Sequence, residues 1–224
     1  MGRAIGKGVP VVLTTVATAS ALVFAARALT RARIVRPLGV SGTRQRVFFA
    51  NHTSHLDFVV LWSSLPGEIR KVTRPVGGRD YWGNSALRRY VSQKAFNAIL
   101  IQRGSGNDDP EQAAAAARAQ IEHIAAEMGD RYSIIVFPEG SRGTGEQVRP
   151  FKSGLYHLCR MKPNLELIPV YLANMNRILP KGEVVPVPRV GSIVFGDPLY
   201  FVPGETKEDF LTRTRDAVAA LKPK

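Results

Sequence analysis

The chain predicts a mixed α/β fold: a largely parallel sheet flanked by helices, with a helical membrane anchor ahead of it. Three observations predict this. Short runs rich in Val, Ile, Phe and Tyr alternate with helical patterns, the order that builds parallel sheets. A long alanine-rich helix opens at Pro110 and stops at Gly129. An uncharged apolar stretch precedes the first strand.

That stretch is Val9 to Ala26, VPVVLTTVATASALVFAA, bounded by Lys7 and Arg27. As a helix it would run about 27 Å, close to the ~30 Å of a bilayer's hydrocarbon core. Pro10 suits a first helical turn. Arg27, Arg31, Arg33 and Arg36 follow at once, a cluster that attracts anionic lipid and keeps the body cytoplasmic. Thr14, Thr15, Thr18 and Ser20 weaken the span. Two other readings therefore stay open: a signal peptide cleaved near Ala19-Ser20-Ala21, or a core or interfacial helix. The expected organisation is a membrane-anchoring segment over 1–40 and an α/β domain over 41–224.

Strands are expected at Arg46–Ala50, Lys71–Val76, Ala98–Gln102, Ser133–Phe137, Leu167–Leu172 and Ser192–Phe195, each bounded by Gly, Pro or Asn. Helices are expected at Asp57–Leu65, Ser85–Lys94, Pro110–Met128, Lys152–Met161 and Lys207–Leu221. Asp108 or Asp109 can cap the Pro110 helix. Gly104–Asp109 and Pro180–Arg189 read as loops.

Composition narrows the function. The single cysteine, Cys159, excludes an intramolecular disulfide and a thiolate zinc cluster. The 224 residues carry a net charge of +13. Residues 1–103 hold sixteen Lys and Arg against three acids, and residues 104–224 hold fifteen of each sign. The excess thus lies beside the apolar segment, which favours an anionic membrane over nucleic acid as partner.

The chemistry concentrates in two stretches. In FFANHTSHLDFVVLW, Phe48 to Trp62, an apolar strand gives way to Asn51, His52, Thr53, Ser54, His55 and Asp57 before a helix begins. A strand-to-helix connection lies on the carboxyl edge of a parallel sheet, where ligands bind. His52 and Asp57 are five apart, which suits an imidazole in the turn held by a carboxylate in the first helical turn. That pair is a general base with its orienting acid. The same residues also fit a helix start capped by Thr53 or Ser54. A metal site would need more histidines than His123 and His157 supply.

The second stretch is IIVFPEGSRG, Ile134 to Gly143. Gly140 and Gly143 admit close backbone approach, and Ser141 and Arg142 offer a hydroxyl and a forked cation that suit phosphate. It also fits a plain glycine-rich turn. AILIQRG delivers Arg103 past a strand end, LELIPVYL places Pro169 inside a strand, and Lys152 in PFKSG adds a cation.

In this order the pieces resemble the glycerophospholipid acyltransferase family, the 1-acylglycerol-3-phosphate acyltransferases. His52…Asp57 is similar to its His-x4-Asp motif, and Phe137 to Arg142 to its Phe-Pro-Glu-Gly-Ser/Thr-Arg block. Ile101-Gln102-Arg103-Gly104 resembles its phosphate-side arginine block, and Ile168-Pro169-Val170 and VFGDPL, Val194 to Leu199, are similar to its late blocks. The resemblance covers roughly residues 45–200. Gln102 stands where an acid is frequent, and Gly143 where serine is frequent. The resemblance implies acyl transfer from acyl-coenzyme A or acyl-carrier protein to the free hydroxyl of a lysophospholipid, without a metal or other cofactor. It implies His52 as base, Asp57 as its partner, and Arg103, Glu139, Gly140, Ser141, Arg142 and Lys152 around the acceptor's phosphate. Amides near Gly140 or the Pro169 strand both remain candidates for the oxyanion. A hydrolase would need a Gly-x-Ser-x-Gly turn, which the chain lacks. A non-catalytic basic lipid-binding protein is the alternative of another class.

Overall fold

The computed structural model describes residues 24, 32–40, 42, 44–102, 109–178 and 190–223. The expected anchor, Val9 to Ala26, lies outside them except for Phe24, as do Arg103 and nearly all of the two expected loops. Among the described residues no helix is long and apolar enough to cross a membrane.

Seven described strands form one sheet: β1 Arg33–Arg36, β2 Arg46–Ala50, β3 Thr73–Gly78, β4 Ile99–Ile101, β5 Ser133–Val136, β6 Glu166–Ala173 and β7 Ser192–Phe195. Their order is β1-β7-β6-β2-β5-β3-β4. All neighbours pair in parallel except β6 and β7. The helices are α1 Asp57–Ser64, α2 Gly67–Lys71, α3 Arg79–Trp82, α4 Ala86–Tyr90, α5 Pro110–Met128, α6 Gly154–Met161, α7 Met175–Ile178 and α8 Lys207–Ala219. A π-helical turn, Val91–Ala95, continues α4. The six strands expected from sequence are present, and so is a mostly parallel mixed sheet. One boundary is corrected: the sheet takes in Arg33–Arg36, so its edge strand lies inside the expected 1–40 segment. Four arginine and branched residues with no apolar alternation carry no strand signal. β1 forms because β7 offers it a ladder, and at that edge all four residues stay exposed.

β2 is central, and all five of its residues are buried. Helices cover both faces, so the strand is a continuous apolar run rather than an alternating one. Successive side chains still point to opposite faces. Val47 and Phe49 join Ile134 and Leu167 in a core closed by α5, α6 and α8. Phe48 and Ala50 join Ile135, Ile168 and Val170 in a second core under α1.

Two local problems have visible solutions. Arg46 opens β2 at 1% exposure and donates through Nε to Glu166, its register partner on β6, at 2.8 Å. Pro169 brings a missing donor into the middle of β6. The β6–β7 ladder starts only at Val170, and Gly196 donates to the Pro169 carbonyl at 2.8 Å. A Cβ on Gly196 would meet the proline ring at 2.7 Å, which accounts for the glycine in VFGDPL. Asp109 stands at the cap of α5 but accepts no bond there through its side chain. Thr206 does cap α8, accepting from the Asp209 amide at 3.1 Å.

Two predictions follow from the core. Phe49 is fully buried and meets Phe151 edge-on at 6.2 Å. Phe49→Ala is expected to cost about 3–5 kcal/mol in denaturant unfolding, and a loss under about 1 kcal/mol would contradict this packing. Burial, opposed by the nearby Arg213 charge, pushes the Cys159 thiol up to about 12. At pH 8 its thiolate fraction is then on the order of 10⁻⁴. Iodoacetamide should label Cys159 only after unfolding, and rapid labelling of the native protein would show that the thiol is accessible.

Candidate active site

The carboxyl ends of β2, β5 and β6 converge, and the chain between β2 and α1 is tied to both neighbours. Asn51 is buried and exchanges two hydrogen bonds with Leu172 of β6. Its amide donates to the carbonyl at 2.9 Å, and its oxygen accepts from the backbone N–H at 2.8 Å. His52 is tied to the turn after β5. Its N–H donates to Glu139 Oε1 at 2.9 Å, and its carbonyl accepts from the Gly143 N–H at 2.7 Å. Residues about ninety apart in sequence are thus fixed to one another through the backbone N–H and carbonyl of His52.

Asp57 is fully buried in the first turn of α1, where the helix dipole favours a carboxylate. Its Oδ2 accepts three bonds: from the Thr53 N–H at 2.6 Å, the Ser54 N–H at 2.9 Å and His52 Nδ1 at 2.9 Å. The cap proposed from sequence is therefore inverted. Leu56 holds the cap position without a side-chain bond, and Asp57 reaches back to gather the amides of Thr53 and Ser54. The carboxylate also sets the tautomer. With Nδ1–H donated to Asp57, the neutral ring keeps its lone pair on Nε2. The ring stacks on Phe137 at 4.4 Å, inclined 21°. Two buried atoms here, Asp57 Oδ1 and Thr53 Oγ1, accept or donate no bond among the described residues.

The other expected residues fall into distinct places. Glu139 is buried, with one oxygen on the His52 amide and the other on Arg149 Nε at 2.9 Å. Both of its oxygens are thus engaged within the site. Its charge adds to burial in raising the Tyr171 phenol above its usual range. Gly140 has φ +74°, and a Cβ there would meet Lys152 Cε at 2.6 Å, so glycine lets the lysine lie across the turn. Ser141 is exposed, and its hydroxyl lies 3.2 Å from Arg149 Nη2. Arg142 is half-buried and Lys152 exposed, and neither side chain bonds another described residue. Arg103 lies outside the described residues. Sequence reasoning placed Asn51 in the polar cluster without a role and missed Arg149, which sits at no telling spacing.

These groups open on a cleft of about 1590 Å³, lined by His52, Arg142, Arg149 and Lys152 and by apolar walls including Phe58, Trp82 and Phe96. Phe96 is delivered by the π-helical turn and packs edge-on against Phe58 and Trp62. Among the described residues no three His, Cys, Asp or Glu side chains group as metal ligands would.

The acyltransferase family model matches residues 29–173. The chain belongs to the acyltransferase family. A 1-acyl-sn-glycerol-3-phosphate acyltransferase of Limnanthes douglasii is 26% identical over 159 residues, covering 68% of this chain and 51% of that protein. A protein of Dictyostelium discoideum named Taffazin is 28% identical over 170 residues, covering 70% and 55% respectively. The chain thus spans about half the length of the curated relatives it matches. The fold is that of the 1-acyl-sn-glycerophosphate acyltransferase of Thermotoga maritima, with a TM-score of 0.68 at 16% identity, over 92% of this chain and 78% of that one. The family match begins within the segment ahead of β1, upstream of the region the motifs cover.

Asp57 holds three N–H donors on one oxygen, so its removal orphans all three. Asp57→Ala is expected to lose at least about 2 kcal/mol of stability, and Asp57→Asn, which keeps an acceptor, to lose less. Equal midpoints for the two variants in urea would reject this reading of the turn.

Proposed function

We propose that this acyltransferase moves a fatty acyl chain from a thioester, acyl-coenzyme A or acyl-carrier protein, to the free hydroxyl of 1-acylglycerol-3-phosphate, making phosphatidic acid. The observation that supports it is the 2.9 Å contact of His52 Nδ1 with buried Asp57, on a cleft also lined by Arg142 and Lys152, which bond no other described side chain. Nε2 takes the hydroxyl proton as the oxygen attacks the thioester carbonyl carbon. The C–S bond of the tetrahedral intermediate then breaks, and the departing sulfur takes the proton from the imidazolium. Asp57 offsets the positive charge that the ring carries between the two steps. Arg142 and Lys152 hold the acceptor's phosphate on the other side of the turn, with Arg103 as a third cation by resemblance. The thioester is already activated, so the scheme uses no cofactor.

The acceptor's own chemistry places the reaction at a membrane. The strand pairing puts Arg33 next to Ser192, and Ser192 next to Ala173 at the carboxyl end of β6. The chain thus enters the sheet on the edge that carries His52, with Ile34, Val35 and Val190 exposed nearby. In this proposal the apolar stretch before it holds that edge against anionic lipid, with the body on the cytoplasmic side.

The test is acyl transfer by the purified protein with both thioester donors and several lysophospholipids. His52→Ala should lower turnover by about 10²–10⁴-fold, and Asp57→Asn by a comparable factor. His52→Ala with unchanged turnover would remove the base. Transfer to another lysophospholipid in preference would change the acceptor, and lipid binding without turnover in the wild type would favour a binding protein.

A further inference from the structure

Arg149 sits outside every motif, yet it joins the two halves of the site. Its Nε donates to Glu139 Oε2 at 2.9 Å, and its Nη2 reaches both the carbonyl and the hydroxyl of Ser141. The other oxygen of Glu139 holds the His52 amide. A line of bonds therefore runs from the backbone of His52, through a carboxylate that is 2% exposed, to a guanidinium and on to the turn that carries Arg142. Gly143 makes room for it. A Cβ there would stand 3.1 Å from Arg149 Nε and 3.4 Å from Glu139 Oε2. A serine at this position would press on the guanidinium, which would have to shift by a few tenths of an ångström.

The energetic role of Arg149 follows from the burial of Glu139. A carboxylate at that depth needs compensation, and Arg149 is the cation in contact with it. Without the arginine, the Glu139 carboxylate would lose the partner on its second oxygen and turn toward water, and its grip on the His52 amide would weaken. A planar fork also sets direction, which a lysine's ammonium does less well. We propose that Arg149 is a positioning residue for acyl transfer: acting through Glu139, it holds the His52 turn, and with it the imidazole, at its working place over the cleft. This rests on the reading of His52 as the base. Arg149 touches no reacting atom in this scheme.

The experiment compares Arg149→Met, Arg149→Lys and Glu139→Gln with wild type in acyl transfer to 1-acylglycerol-3-phosphate. Amide hydrogen exchange at His52 is measured in the same proteins. A displacement of about 1 Å at a base is worth up to roughly a hundredfold in rate. Arg149→Met is therefore expected to lower kcat about tenfold to a hundredfold, with the acceptor KM changed less than about threefold. Arg149→Lys should recover part of kcat. His52 amide exchange should quicken in Arg149→Met and less so in Arg149→Lys. Glu139→Gln, which removes the charge that Arg149 compensates but keeps an acceptor for the His52 amide, covers the case in which Arg149→Met does not fold. It should lower kcat in the same direction with a near-native midpoint. A rise in acceptor KM at full kcat would make Arg149 a phosphate ligand and overturn the proposal. So would a lowered Tm with kcat and His52 amide exchange unchanged. Wild-type protein that transfers acyl groups to no lysophospholipid would instead sink the proposed function, while the amide exchange still reports on the brace.

Discussion

The whole site hangs on one buried oxygen. Asp57 Oδ2 collects the amides of Thr53 and Ser54 and the ring of His52. The two backbone bonds shape the turn, and the third aims the imidazole. A charged acceptor with several donors around it is among the stronger hydrogen-bonding arrangements a protein can bury. The carboxylate that folds the turn also orients the His52 ring, so the geometry of that ring and the stability of the strand exit are not separable.

A second carboxylate makes the site a junction between strands. Glu139 leaves β5 and reaches under the β2 exit, where it takes the His52 amide, while Gly143 donates back to the His52 carbonyl. Neighbouring parallel strands put these exits side by side. Both acids are buried, and at the rim stand Arg142 and Lys152, whose side chains bond no other described residue. An anion approaching the cleft therefore meets cations first, with the negative groups behind them engaged in hydrogen bonds.

Much of this was legible in the chain. β2 and β7 announced themselves through compact apolar runs between polar or glycine residues, and α5 through its proline start and glycine stop. Their signals are local, so the observed bounds match. β1 was not legible, because Arg33–Arg36 is a strand only in the presence of β7. Lys152 and Gly140 could each be suspected, yet their crossing could not, since it depends on a positive φ bringing the turn beneath a side chain twelve residues on. Glu139 was legible as a site residue but not as an inward-facing one. Arg149 left no signal, because its partners are chosen by how an irregular loop closes.

From the order of residues alone came the alternation of strands and helices, the parallel sheet, the lopsided positive charge, and the pairing of His52 with Asp57 within one turn. Each is set by patterns a few residues long, where propensity and spacing act directly. Tertiary structure alone decided that the turn after β5 would lie against that pair, that Glu139 would face inward and Arg149 would brace it, and that β1 would enter at the edge bearing the site. Those outcomes depend on which strands become neighbours, and that is settled by burying two faces of one sheet at once rather than by any local run of residues.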